Sequence, residues 1–151
     1  MPYQITPNFT FEELTATNTG LDNTPKRTSV AYAQIKAMAR VLQQARDVLG
    51  KPIFVNSCYR SPLVNAKVGG SRTSHHLTGS AVDISIYQYT SLDKITLENA
   101  LRLFKPVEFI KYDTFWHIAY DFSTLGNHGE VSTYDKDYPE LYDGPNQVED
   151  L

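Results

Sequence analysis

The chain has 151 residues, of which 41% are hydrophobic and 21% charged, with a net charge of −3; these values fit one globular domain and exclude a disordered chain. No window approaches eighteen consecutive apolar residues, which excludes a helical membrane span, and the one cysteine, Cys58, excludes an intramolecular disulfide and a thiolate cluster for a metal. Residues 1–120 carry a net +4 and residues 121–151 a net −7, a mildly basic body with an acidic tail that lacks the dense basic face of a nucleic-acid binder.

The segment Thr10-Phe11-Glu12-Glu13 fits a capping box and predicts a short turn of helix. Residues 18–26 are turn-rich and read as a loop. A long helix is predicted over 30–49, with Ser29 as its cap and Gly50 just past its end. Ile35, Met38, Leu42, Ala45 and Leu49 form its apolar stripe, with Lys36, Arg40 and Arg46 off it. Residues 52–59 are β-rich, and Ile53, Val55 and Ser57 share a face. Residues 60–75 form a long polar stretch with Pro62 and Gly69-Gly70, read as a loop that is either functional or disordered. A strand is expected over 81–86 and a second helix over 92–104, stopped by Pro106. Two strands, 107–112 and 115–120, meet at a tight turn at Asp113-Thr114. Helices first, then strands with one helix between them, predict an α+β fold. The acidic extension 121–151, with Tyr134, Tyr138 and Tyr142, is expected to wrap in part over the domain formed by 1–120.

The histidines are His75, His76, His117 and His128. His76 and Asp83 flank a glycine turn and a strand start, so a loop imidazole and a strand carboxylate can converge. Asp83 stands between Val82 and Ile84, where a carboxylate is costly to bury unless paired or bound to a metal. His117, in the apolar strand Phe115-Trp116-His117-Ile118, is the candidate third ligand. Three protein ligands with an open position describe a catalytic zinc site. The same residues also fit packed, hydrogen-bonded histidines with no metal.

The segment Ser74-His75-His76-Leu77-Thr78-Gly79-Ser80-Ala81-Val82-Asp83 resembles the Ser-x-His-x-x-Gly-x-Ala-x-Asp motif of the M15 family of zinc D-Ala-D-Ala peptidases. Ser57-Cys58-Tyr59-Arg60-Ser61-Pro62 resembles that family's Ser-Gly-Tyr-Arg-Ser-Pro block, and Trp116-His117-Ile118 its last ligand strand. Asn65 to Ser71, the opening Phe9 to Leu14 and the loop Asn23-Thr24-Pro25 resemble a bacterial and phage subgroup. The resemblance runs over residues 9–120 and leaves out the tail.

It implies the hedgehog/DD-peptidase fold, with a small antiparallel sheet carrying the site. It also implies Zn2+ held by His76, Asp83 and His117, with His75 as the rival to His76. Arg60 corresponds to a residue that lines the site and stabilises substrate or transition-state charge. Ser74 matches the motif serine, read as shaping the loop and contacting substrate. Many relatives place an acid three residues before the last histidine, where this chain has Thr114. Asp113 is therefore the expected acid/base, and Glu108 the weaker candidate. The implied reaction is hydrolysis of a peptidoglycan stem bond, as a carboxypeptidase or an endopeptidase, by a monomer. The opening MPYQITPNFTFEEL has no basic start and no apolar stretch, so no signal peptide is expected. A phage lysis enzyme or virion component would reach the wall without one. The competing expectations are a non-catalytic zinc module that lost its acid at Thr114, and a metal-free structural protein.

Overall fold

The computed structural model describes residues 3–123. The expected wrap of the tail, the tyrosine repeat and His128 lie outside the described residues.

An N-terminal hairpin opens the chain, β1 (Gln4–Thr6) against β2 (Phe9–Thr10). It leads into α1 (Phe11–Leu14), whose capping box forms as predicted: Thr10 Oγ1 accepts from Glu13 N, and the Glu13 carboxylate accepts from Thr10 N. The hairpin was not expected, because two and three residues carry almost no strand pattern. Tertiary contacts hold it. Gln43 clamps Asn8 through two 2.8 Å hydrogen bonds, one from Asn8 N to Gln43 Oε1 and one from Gln43 Nε2 to Asn8 Oδ1.

The long helix α2 (Val30–Leu49) has the predicted bounds. Ser29 Oγ accepts from Tyr32 N, and Gly50 closes the helix at φ 77°. Burial extends beyond the apolar stripe. Lys36 and Arg40, off that stripe, are buried too, with Lys36 Nζ 4.6 Å from the Tyr32 ring centroid. The hairpin, the second long helix and the loop elements all pack on α2, so little of its surface stays wet.

The main sheet has the order β3-β4-β6-β5, from β3 (Phe54–Ser57), β4 (Ala81–Ser85), β5 (Glu108–Lys111) and β6 (Trp116–Ala119). All neighbours are antiparallel. The expected α+β architecture is the observed one. Residues 60–75 are not one loop. Ser61 caps and Pro62 begins a short helix, α3 (Pro62–Lys67), and His75–Thr78 form one 3₁₀ turn. Pro at the first helical position loses no hydrogen bond there. The second long helix, α4 (Ser91–Arg102), starts on a Thr90–Asp93 capping box.

Strand periodicity sorts the sheet into two faces. Val82, Ile84, Trp116 and Ile118 point into the core with Ile35, Met38 and Leu42 of α2 and Leu97 and Leu101 of α4. Asp83 and His117, paired directly across β4 and β6, point to the other face. The 3₁₀ turn is seated on α2 through Gly79. Its φ is +71°, and a Cβ there would lie 2.8 Å from Ile35 Cγ1 and 3.0 Å from the Ala31 carbonyl. Gly79→Ala is expected to destabilise the protein by about 1–3 kcal/mol, from the left-handed backbone and the overpacking together. A thermal melt with an unchanged midpoint would contradict this seat. Among the described residues, no helix is long and apolar enough to cross a membrane.

Candidate metal centre

The 3₁₀ turn presents His76. Ser74 Oγ accepts from His76 N at 3.1 Å and fixes the start of the turn. Below it, the His76 Nδ1 lies 2.6 Å from the Cys58 carbonyl oxygen. A carbonyl can only accept, so Nδ1 carries the proton and Nε2 presents its lone pair. That Nε2 is buried and makes no hydrogen bond. It faces Asp83 Oδ2 at 3.4 Å, without the geometry of a bond. Buried polar atoms in proteins are almost always satisfied. An imidazole held rigidly with one orphaned lone pair fits a metal ligand.

His117 reaches the same place from β6. Its Nδ1 is 2.8 Å from Asp83 Oδ1, and its Nε2 is 2.7 Å from Glu108 Oε1. His76, Asp83 and His117 each offer a ligand atom, and these atoms lie within 4.8 Å of one another. Two imidazoles and one carboxylate suit zinc, and three protein ligands leave a position open for water or substrate. The residues present therefore fit the metal. His76 Nε2, an Asp83 oxygen and His117 Nδ1 would hold it. Glu108, on the other nitrogen of His117, would fix that ring and its tautomer.

Burial pushes the Asp83 carboxyl up, but the hydrogen bond from His117 and the two imidazoles beside it outweigh that and hold its pKa at about 2. His117 is shifted up, first by its hydrogen bond to Asp83, against desolvation, and further by Glu108. A proton retained to higher pH competes with a metal for the same ring. Zinc affinity is therefore expected to fall, and proton release on binding to grow, as pH drops from 7.5 to 5.5. Chelator competition at the two pH values measures it; equal affinities would contradict it.

The cleft around these ligands has a volume of about 440 Å³ and is lined also by Arg60, Ser74, Tyr112 and Phe115. Arg60 is held in place. Its Nε donates to Ser57 Oγ at 3.3 Å, its Nη1 donates to Asn65 Oδ1 at 3.0 Å, and its Nη2 lies 3.8 Å from Asp83 Oδ2. Asn65 is buried and was not expected from the sequence. Its Nδ2 ties down the Ser71 carbonyl while its Oδ1 holds the arginine. His75 lines the cleft without joining the ligand group.

The two candidate acid/base carboxylates are placed differently. Asp113 is exposed at the hairpin turn and is not among the residues lining the cleft. Glu108 is among them. The register explains it. Ile110 pairs with His117, so Glu108, two residues away, sits on the same face diagonally across from the histidine. Asp113 belongs to the turn, where Asp is favoured.

A sequence profile of the family described as Peptidase M15 matches residues 7–119. The chain belongs to the peptidase M15 family. The match covers β2, the main sheet and His76, Asp83 and His117. Among M15 relatives, a zinc D-Ala-D-Ala carboxypeptidase from Streptomyces albus G is 39% identical over 80 residues, covering 51% of this chain. The aligned segment spans 31% of that relative's length. Its name says what that protein binds and cleaves.

Proposed function

We propose that this M15 chain is a zinc peptidase that hydrolyses a peptide bond in the stem peptides of bacterial peptidoglycan. The observation that carries the proposal is the convergence of His76, Asp83 and His117 beside a second, water-accessible carboxylate, Glu108, in one open cleft. Zinc in such a site supplies Lewis acidity, lowering the pKa of water and polarising a carbonyl.

The protein's own groups supply the rest. Glu108 Oε1 holds the His117 ring through Nε2–H, while Oε2 makes no hydrogen bond with the described residues. Its side chain is 41% exposed, so a water in the cleft can reach it. Oε2 is the proposed general base: it takes a proton from that water and returns it to the departing amine. The Arg60 guanidinium, with donors in a fixed fork, orients a substrate carbonyl or carboxylate and stabilises negative charge as it develops. The Nδ1–H of His76, donated to Cys58 O, fixes the ring with Nε2 facing Asp83.

The non-catalytic alternative rested on the absent acid at Thr114. A carboxylate reaching the cleft from Glu108 removes the reason for it. The test is digestion of purified peptidoglycan with and without a chelator, read by mass spectrometry of the released fragments. The expected result is a chelator-sensitive cut, restored by zinc, at one type of stem bond. No cut by protein holding one zinc per chain would overturn the proposal.

A further inference from the structure

A second groove, also about 440 Å³, opens on the other side of Arg60 and shares that residue with the metal cleft. Thr17, Asn18, Asn56, Ser57, Val64 and Val68 are among the residues that line it. We propose that this groove is a second substrate subsite, which binds the arm of the peptide remote from the cleaved bond. The preferred substrate class is then an extended stem peptide, not a free dipeptide. This inference rests on the peptidase reading above.

Four observations support it. The metal cleft alone already has the volume of a small-ligand site, so an equal groove beyond it exceeds what a dipeptide fills. The groove's chemistry suits a peptide. Amide and hydroxyl side chains rim it, for backbone N–H and C=O groups, over an apolar floor for small side chains. No acidic residue lines it, and Arg60 stands at the junction, so carboxylate-bearing residues are accepted. Finally, β3 is an edge strand of the main sheet, and its Asn56 and Ser57 line the groove. An extended peptide can run along such an edge and use its free backbone groups.

Arg60 is fixed as the post between the two compartments by Ser57 and Asn65. Gly70 leaves room for that arrangement. A Cβ there would fall 2.1 Å from Asn65 Oδ1 and 2.7 Å from Arg60 Nη1. The groove walls, by contrast, tolerate bulk, since Asn18 and Val68 are exposed.

The test compares a stem pentapeptide with acetylated D-Ala-D-Ala on the zinc-loaded full chain. Two groove-filling variants from different segments of the chain, Asn18→Trp and Val68→Trp, are assayed beside the wild type. The wild type is expected to favour the pentapeptide in kcat/KM by about tenfold or more, and both variants are expected to lose that preference, mostly through KM. Equal kcat/KM for the two peptides, or a preference untouched by both variants, would overturn the subsite. If the wild type cuts neither peptide, the peptidase reading fails separately. The same comparison is then read as Kd by calorimetry: tighter pentapeptide binding lost in both variants keeps the subsite, and equal binding ends it.

Discussion

His76→Ala is expected to abolish stoichiometric zinc binding and, with it, hydrolysis. Nothing else among the described residues can replace the lost nitrogen. His76 Nε2 is buried, carries the lone pair and makes no hydrogen bond. Removing a mere outer-shell partner of a metal ligand typically lowers affinity about 10–100-fold. Removing a ligand itself exceeds that and leaves only Asp83 and His117 of the ligand group. Asp83→Ala is expected to do the same, because Asp83 sits between the two histidines at 2.8 Å and 3.4 Å. His75→Ala is the contrast, since His75 is not one of the ligand group and the variant should keep its zinc. Metal content by mass spectrometry, with circular dichroism to confirm folding, checks all three. Full zinc occupancy in folded His76→Ala would contradict the ligand assignment.

The second large effect belongs to Glu108. Glu108→Gln keeps an acceptor for His117 Nε2–H and a similar shape, so zinc binding should survive. It removes the basic oxygen, and general-base catalysis typically contributes 10²–10⁴-fold. The expected result is normal zinc content with kcat lower by about that factor and KM little changed. Asp113→Asn, at the exposed turn, is expected to leave kcat unaltered. The pair discriminates sharply. Loss of turnover in Asp113→Asn with normal turnover in Glu108→Gln would return the acid/base role to the turn. Loss of zinc in Glu108→Gln would show that Glu108 serves chiefly to hold the His117 ring.

Glu108, and not Asp113, lines the cleft, and little in the sequence points to it. The three candidate ligands were legible because each is marked locally. His76 follows a capping serine and precedes a glycine turn, while Asp83 and His117 are polar residues interrupting apolar strands. Glu108 carries no such mark. Its place depends on the pairing of β5 with β6, in which Ile110 faces His117 and Glu108 falls on the same side. Counting alternate residues back from that pairing would have found it, whereas distance along the chain favoured Asp113. Asn65 was hidden for a similar reason, because its two contacts, Arg60 and Ser71, come from segments either side of a short helix.

The same contrast runs through the fold. Helix α2 was legible to the residue, since its cap, apolar stripe and terminal glycine agree. The hairpin β1–β2 was not, because five strand residues hold together only through docking on α2. Helix α3 could have been read from Ser61-Pro62, a cap followed by proline at the first helical position, but the polar composition of 60–75 masked it.

The most direct test of the account is anomalous diffraction at the zinc edge from crystals of the zinc-loaded protein. One peak bonded to His76 Nε2, Asp83 and His117 Nδ1, with Glu108 on the far nitrogen of His117, is the predicted result. A peak held by other residues, or by His117 Nε2 and Glu108 in place of His76, would contradict it.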